Sequence, residues 1–190
     1  DNLYKSGEIQ NVYDIILNET EKISNMVDDL LDLSQMEAGA YILSNKNFNL
    51  SELIKKIYEH YNVLSYEKMY SINMHIDYPT NITYYGDPLR LEQAIRNVLV
   101  NAIKHVRDNG DININLSMLH DSSLISISNQ GENITKEDLP NIFDSYYQGE
   151  KSVEGYGLGL AITRHIINLH GGEISADNVE DGVVFVIQLP

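Results

Sequence analysis

The chain has 190 residues, with 28 Asp and Glu against 13 Lys and Arg, and a formal net charge of −15. This acidity excludes a basic nucleic-acid-binding protein, and a hydrophobic share of 43% excludes intrinsic disorder. The absence of cysteine excludes disulfides and thiolate metal sites. No apolar run reaches the roughly 20 residues of a membrane-spanning helix. Because the chain begins with Asp1, we expect a soluble fragment of a longer protein.

Residues 1–39 form an acidic segment with a helical pattern. They carry nine acidic residues against two lysines, so they account for seven of the net negative charges. Steps of three and four residues join Ile9, Val12, Ile16, Glu19, Ile23, Met26, Leu30 and Leu33. A second stripe through Tyr13, Val27, Leu31 and Met36 widens the apolar face. The pattern predicts one long bundle helix that stops at Gly39 and packs on an upstream helix, a second protomer, or both. An ordinary core helix is the alternative.

Residues 40–190 predict a mixed domain. The predicted elements are a helix from about 50 to 64, strands at 70–77 and 84–85, a helix from Pro88 to Val106, and a hairpin of 111–120 and 124–129. They continue with a short helix near Glu137, a helix at 158–169, and strands at 173–176 and 183–189. Helices and antiparallel strand pairs do not alternate regularly. The order predicts an α+β fold of helices layered on one mixed sheet, preceded by one long bundle helix.

The helix that begins at Pro88 carries the first chemical signal. Asn97, Asn101 and Lys104 share a face away from its apolar stripe. Asparagine in mid-helix lowers helix propensity, so a ligand role is a reasonable explanation. An amide oxygen suits Mg²⁺, which keeps phosphate oxygens and waters as further ligands, and Lys104 could balance phosphate charge. A solvated face with two asparagines by chance is the alternative, and spacing alone favours it.

Three alternate glycines, Gly155, Gly157 and Gly159, open the next long helix. Glycine lets backbone N–H groups approach a phosphate, and a helix N-terminus favours an anion. A Rossmann site is excluded because residues 148–154 are polar loop, where that fold needs a strand. A mobile glycine-rich lid or a flexible loop joined to a helix remains.

Taken in order, these segments resemble the ATP-binding catalytic domain of bacterial sensor histidine kinases over nearly the whole chain. GDPLRLEQAIRNVLVNAIKH resembles the Asn-motif helix of that family, NQGENI its first glycine box, and LPNIFDSYY its Phe box. GYGLGLAITRHIINLHGG resembles the second glycine box, and DGVVFVIQLP the final strand. The resemblance implies the α/β sandwich of histidine-kinase-type ATPases. The NQGENI variant and the short lid between Tyr147 and Gly155 also resemble kinases of the vancomycin-resistance type.

The resemblance implies ATP and Mg²⁺ as ligands and assigns a role to each matching residue. Asn101 matches the Mg²⁺ ligand, with Asn97 beside it. The positions that match phosphate and ribose contacts are Lys104 and His105, and those that match the adenine site are Asn129, Gly131 and Ile134. The lid and its cradle match Gly155, Gly157, Leu158, Gly159 and Leu160, and the aromatic residues that anchor it match Phe143, Tyr146 and Tyr147.

Three positions depart from the family pattern. Asn129 stands where the usual residue is Asp, and its amide oxygen can accept a hydrogen bond from adenine without a charge. Asn133 replaces the second glycine of the first glycine box. The arginine that commonly follows the Phe box aligns with Gln148, and Lys151 is the nearest cation. We expect Lys151 to substitute for that arginine; unchanged phosphotransfer in Lys151→Ala would contradict this.

None of the six histidines lies in the H-[DE]-x-[KR]-T-P-like context of the family's phosphoacceptor. We therefore expect the acceptor helix upstream of Asp1, a homodimer in the full-length protein, and relay to an Asp of a response regulator. We expect membrane attachment only through upstream regions, with the domain on the cytoplasmic side of the membrane. The alternatives are a conformational ATPase that uses Glu92 or Glu150, and a degenerate scaffold marked by Asn129 and Gln148.

Overall fold

The computed structural model describes residues 6–65, 71–76, 81–149 and 156–190. The helices are α1 (Ser6–Glu37), α2 (Leu50–Ser65), α3 (Pro88–His105) and α4 (Gly159–Leu169). The strands are β1 (Lys46–Asn49), β2 (Ser71–Ile76), β3 (Thr83–Gly86), β4 (Asp111–Leu119), β5 (Ser122–Gln130), β6 (Glu173–Val179) and β7 (Gly182–Leu189). Within these ranges, no helix combines the length and the apolar character needed to cross a membrane.

The main sheet has five strands in the order β2-β4-β5-β7-β6. β2 and β4 run parallel, and the other neighbours run antiparallel. Alternate residues of the central strands are buried: Ile112, Ile114, Leu116, Ile125, Ile127, Val183, Phe185, Ile187 and Leu189. This period of two gives the sheet one apolar face, which packs on helices. The predicted α+β class with a mixed sheet is confirmed.

The core lies between that sheet face and the helices. α3 and α4 pack against each other, and α2 contacts both α3 and β2. Their buried side chains include Leu50, Ile54, Leu91, Ile95, Val98, Leu99, Ala102, Ile162, Ile166 and Ile167. The polar residues Asn97, Asn101 and Lys104 of α3 lie outside this buried stripe.

Asp87 fixes the start of α3. Its Oδ1 accepts hydrogen bonds from the N–H groups of Leu89 and Arg90, and Pro88 occupies the first turn, where a missing N–H costs nothing. Its Oδ2 accepts a bond from the N–H of Ser44 at 2.9 Å. One buried carboxylate therefore joins the segment before β1 to the helix that carries Asn97 and Asn101.

The last turns of α1 belong to the same core. Leu33 and Met36 are buried, and the helix ends in a turn in which the Ala40 N–H donates to the Gln35 carbonyl and Gly39 has a φ of 65°. The predicted stop at Gly39 is thus confirmed. Further toward its start, α1 exposes an apolar stripe: Val12, Tyr13, Ile16, Ile23, Val27 and Leu31 are each about half exposed or more.

Three sequence predictions differ from the structure. The short helix predicted near Glu137 is wrong: residues 136–143 form successive turns, because Pro140 has no N–H to donate and disfavours helical backbone at Leu139. β1 was not predicted; it pairs with β3 in a separate two-stranded ribbon. Strands β5 to β7 extend one to three residues beyond the predicted bounds. Residues 70 and 77 of the predicted strand at 70–77 lie outside the described residues.

His170 ties the end of α4 to the start of α3. Its Nε2 accepts a hydrogen bond from the Asp87 N–H at 2.9 Å, so the ring proton is on Nδ1, which donates to the Ile166 carbonyl at 2.7 Å. The ring also fills the space beside Gly86, where a Cβ would lie 2.7 Å from His170 Cδ2.

We expect His170→Ala to lower the free energy of unfolding by about 1–3 kcal/mol, because the Asp87 N–H loses its partner in a partly buried place. His60→Ala, an exposed helical control, should change it by less than about 0.5 kcal/mol. Urea unfolding followed by circular dichroism measures both. Equal midpoints for the two variants would contradict the structural role of His170.

Candidate functional site

A cavity of about 500 Å³ opens between the end of α3, the end of β5 and the turns that follow β5. Its lining residues are Asn101, His105, Asn129, Glu132, Asn133, Ile134, Thr135, Glu137, Asp138, Ile142, Tyr147, Gln148, Gly149, Leu160, Val183 and Phe185. Apolar side chains from β7 and α4 form its inner wall, and three carboxylates stand among the outer residues.

A second cavity of about 660 Å³ continues from the first toward α1. Asn101, His105, Ile142, Tyr147, Gln148 and Leu160 line both cavities. The residues that line only the second are Glu19, Lys22, Asn25, Met26, Asp29, Asn97, Val100, Lys104, Tyr156, Gly157, Leu158 and Gly159. The two spaces therefore form one elongated cleft, with Asn101 at the junction.

The two ends of the cleft differ in charge. Among the described residues, the first cavity is lined by three carboxylates and no Lys or Arg, whereas the second is lined by Lys22 and Lys104 together with Glu19 and Asp29. The second cavity also receives the start of α4, where Leu158 offers no side-chain cap to the first N–H groups of the helix. Uncapped N–H groups at a helix N-terminus favour an anion. The cleft thus suits a ligand whose neutral end lies in the first cavity, where three carboxylates disfavour an anion, and whose anionic end lies in the second cavity.

Asn129, near the end of β5, lines the first cavity, and Gly131 follows directly after that strand. Asn129 is only 3% exposed, and its Nδ2 lies 3.4 Å from the His105 carbonyl oxygen, to which it donates. With the nitrogen engaged, the amide oxygen is the group left to accept a bond from a ligand. A Cβ at Gly131 would lie 2.2 Å from the same His105 oxygen, so glycine is needed for the ends of β5 and α3 to meet.

Asn97 positions the start of α4. Its Nδ2 donates to the Gly159 carbonyl at 3.1 Å, and Thr163 Oγ1 donates to the same carbonyl at 2.8 Å. Through its amide nitrogen, Asn97 therefore orients the N-terminus of α4 in the second cavity. Asn101, one turn further along α3, presents its side chain to both cavities.

The three aromatic residues of the LPNIFDSYY segment make different contacts. Phe143 is buried and packs edge-on against Phe185, with ring centroids 6.3 Å apart. Tyr146 has an exposed ring and a φ of 65°; its backbone N–H donates to the Gly157 carbonyl at 2.9 Å. Tyr147 lines both cavities, and its hydroxyl donates to Asp138 Oδ1 at 2.6 Å. That bond lowers the pKa of Asp138 and raises that of Tyr147.

The residues present fit a magnesium ion that is held by one protein oxygen and mainly by phosphate oxygens and waters. Asn101 offers a neutral oxygen at the junction of the cleft, and the described residues contain no group of three or more His, Asp or Glu that could hold a metal by themselves. Mg²⁺ commonly takes one or two protein oxygens and completes its octahedron with phosphates and waters. Asn101 would be the protein ligand of such an ion.

Most of the predicted site residues lie in the cleft. The first cavity contains Asn101, His105, Asn129, Ile134, Tyr147 and Leu160, and the second adds Asn97, Lys104, Gly157, Leu158 and Gly159. Gly131, Phe143 and Tyr146 do not line either cavity, and they act, as described above, through the backbone and the core. Lys151, Gly155 and Glu150 lie outside the described residues. Glu92, the candidate base of a conformational ATPase, is exposed and lines neither cavity.

Sequence reasoning missed two groups of lining residues. One group lies in the turns after β5 and includes Glu132, Thr135, Glu137 and Asp138. The other lies on α1 and comprises Glu19, Lys22, Asn25, Met26 and Asp29. Glu132 lies inside the NQGENI segment and the other three follow directly after it, which is a signal that could have found them. The second depends on how α1 packs against the domain, which no local pattern reveals.

Known proteins share both the sequence and the architecture. Residues 86–190 match the family described as histidine kinase-, DNA gyrase B- and HSP90-like ATPase. Heme sensor protein HssS of Staphylococcus aureus strain MSSA476 is 32% identical over 191 residues, which cover 100% of this chain and 40% of that protein. The solved catalytic domain of histidine kinase ThkA has a TM-score of 0.71 at 31% identity, with 77% of this chain and 95% of that chain covered.

A structure of ThkA in complex with the response regulator protein TrrA extends the likeness to all of this chain. Its TM-score is 0.77 at 27% identity, with 100% of this chain and 52% of that chain covered. The chain belongs to the histidine kinase-, DNA gyrase B- and HSP90-like ATPase family. Within it, the chain is a sensor histidine kinase catalytic domain. The narrower likeness to vancomycin-resistance kinases stays a prediction.

Proposed function

We propose that this domain binds Mg²⁺-ATP and transfers the γ-phosphoryl group to a ring nitrogen of a histidine. The observation that carries the proposal is the cleft itself: a partly apolar end whose described lining has no Lys or Arg meets a lysine-containing end at Asn101. Adenine suits the first end and a triphosphate the second. The family relationship supports the same ligand.

Each residue type contributes to that binding. The Asn129 oxygen accepts a hydrogen bond from the adenine amino group, while Ile134, Val183 and Phe185 cover the base. At the other end, Lys104 and the N-terminus of α4 balance the phosphates. A magnesium ion bound by Asn101 would neutralise charge on the phosphates. Lys151, as the nearest cation to the Gln148 position, remains our candidate for a further charge on the lid.

The acceptor histidine belongs, in this proposal, to a helix outside residues 1–190. Two observations support it: none of the six histidines has the acceptor context, and the chain spans about 40% of the length of the curated relatives it matches. The exposed apolar stripe of α1 fits a four-helix dimerisation bundle made with that helix and a second protomer. Residues 1–39 would then be its second helix, and 40–190 the catalytic domain. We further propose relay to a response-regulator Asp at the cytoplasmic face of the membrane.

Labelled ATP tests this function. Chain incubated with Mg²⁺ and γ-labelled ATP should transfer label to an added peptide that carries the family's histidine box, and should stay unlabelled itself. A thermal shift on Mg²⁺-ATP addition should accompany this. Label on one of the chain's own histidines would contradict the acceptor assignment. The absence of any thermal stabilisation by nucleotide would favour a scaffold without ATP.

His105 should make ATP binding depend on pH. Partial burial and then the charge of Lys104 lower the pKa of His105 below its ordinary 6.5, so the ring is neutral in the free protein at pH 7. Below pH 6.5 the folded state then binds fewer protons than the unfolded state. The free energy of unfolding therefore decreases as the pH falls from 6.5 toward the pKa of His105 in the folded protein. A bound triphosphate favours the protonated ring and raises that pKa.

We therefore expect proton uptake on ATP binding near pH 6.5, and an affinity that rises as pH falls. Calorimetry in two buffers of different ionisation enthalpy measures the uptake. His105→Gln should lose the protein's share of this uptake while keeping the share due to the nucleotide's own phosphate. Equal uptake by both proteins would show that His105 does not sense the phosphates.

A further inference from the structure

One face of α1 lines the second cavity, where an anionic ligand group would bind. Glu19, Lys22, Met26 and Asp29 follow one another at steps of three and four, so they share that face, and all four line the second cavity. The bundle helix is therefore more than an appendage that leads into the domain. It places side chains opposite Asn101 and Lys104 across the cavity where the phosphates are proposed to bind.

A set of polar contacts holds α1 in this place. The Arg90 guanidinium pairs with both carboxylate oxygens of Asp32, and both side chains are about one-fifth to one-quarter exposed. The same guanidinium stacks 4.7 Å from the centre of the Tyr41 ring. Gln93 Nε2 lies 3.5 Å from Asp29 Oδ1. Because Arg90 and Gln93 lie in the first turns of α3, the helix that carries Asn101 is tied directly to α1.

Among the described residues that line the second cavity, two lysines are matched by Glu19 and Asp29, so an anion bound there depends strongly on each lysine. Lys22 and Lys104 are the two Lys or Arg residues among the described residues that line it, and the family's usual arginine is replaced by Gln148. Lys22 Nζ contacts Glu19 Oε1 at 2.7 Å on the same helix face. An exposed pair of this kind is weak, so a triphosphate can compete for the ammonium group.

We propose that Lys22 contacts the phosphates of the bound nucleotide, so that the bundle helix completes the ATP site of the catalytic domain. The inference rests on the proposed function, since it assumes that the second cavity holds the phosphates. It predicts a coupling: nucleotide with a full triphosphate favours the docked position of α1, and docking of α1 raises the affinity for that nucleotide. The affinity for a nucleotide with one phosphate should not depend on Lys22.

Affinities for ATP, ADP and AMP measured by calorimetry with Mg²⁺ test the contact. Lys22→Ala should weaken ATP about three- to tenfold, ADP less and AMP not at all. Lys55→Ala, an exposed lysine in the middle of α2, is the matched control and should leave all three unchanged. Lys22→Arg should restore ATP binding. Glu19→Gln, which removes a competing carboxylate, should strengthen ATP binding about twofold or more.

A double-variant cycle tests the docking. Asp32→Asn breaks the pair with Arg90 and should reproduce the loss of ATP affinity, while Lys22→Ala in that background should add little. Unchanged ATP affinity in Lys22→Ala, beside a wild-type chain that binds Mg²⁺-ATP, would overturn the Lys22 proposal alone. Equal losses for ATP and AMP would do the same. A wild-type chain that binds no nucleotide would overturn the proposed function, and the Lys22 proposal with it.

Discussion

Replacing Asn101 by alanine is expected to remove the magnesium-dependent part of ATP binding and with it phosphotransfer. Asn101 lines both cavities at the point where base and phosphates meet, and it offers the amide oxygen that suits a hard cation. Loss of that ligand should weaken Mg²⁺-ATP at least about tenfold, which corresponds to about 1.4 kcal/mol. ATP in the presence of EDTA should bind both proteins alike. Calorimetry with and without Mg²⁺ gives the four affinities.

Misfolding does not explain such a loss, because alanine has a higher helix propensity than asparagine and α3 is held by its Asp87 cap. Asn168→Ala, at an exposed position of α4, serves as the control and should retain wild-type affinity in all four measurements. If Asn101→Ala kept the full effect of Mg²⁺, the metal ligand would have to be another residue.

The second large effect is expected from Gly157→Ala, compared with Gly159→Ala two residues later. Gly157 has a φ of 70°, and a Cβ there would lie 2.6 Å from the backbone of Tyr146 and Tyr147. At Gly159 the nearest atom to a Cβ is Asn97 Cγ at 3.7 Å, which is an ordinary contact. The same methyl group therefore clashes with fixed backbone at one position and makes only ordinary van der Waals contacts at the other.

Gly157→Ala should break the bond from the Tyr146 N–H to the Gly157 carbonyl and cost about 2 kcal/mol or more, from left-handed backbone strain and the clash. Nucleotide affinity should fall with it, because the start of α4 is displaced. Gly159→Ala should change the free energy of unfolding by less than about 0.5 kcal/mol, or raise it slightly, because alanine favours a helix. Urea unfolding and calorimetry compare the pair. Similar urea midpoints for the two variants would contradict the strain and the clash expected at Gly157.

Local patterns predicted the elements whose neighbours in sequence decide them. The steps of three and four in α1, and the Asp87-Pro88 start of α3, were sufficient to place both helices. β1 was missed because Lys46–Asn49 has only one residue type that favours a strand, and its pairing with β3 lies almost forty residues away. The short helix predicted near Glu137 is absent because Pro140 disfavours helical backbone at Leu139 and has no N–H to donate.

The site could be predicted as far as its residues fall within motifs. Asn101, Asn129 and Gly157 stand in segments that resemble family motifs, and the resemblance, rather than spacing alone, predicts their roles. The wall formed by α1 could not be found in this way, because it depends on the contact of Asp32 with Arg90, 58 residues further along the chain. Neither residue breaks a pattern in its own helix. Only the folded chain shows that they meet.

The length of α1 gives the Asp32–Arg90 contact a mechanical meaning. A helix of 32 residues is about 48 Å long, and it leaves the domain at Gly39. A rotation of about 10° at that end would move the far end by roughly 8 Å, and Lys22 by about half as much. The ion pair lies only about 10 Å from the Gly39 end, so the same rotation would move Asp32 by about 2 Å and leave it near Arg90. If Lys22 contacts the phosphates as proposed, a small rotation of α1 near Gly39 would be enough to change that contact while the Asp32–Arg90 pair is kept.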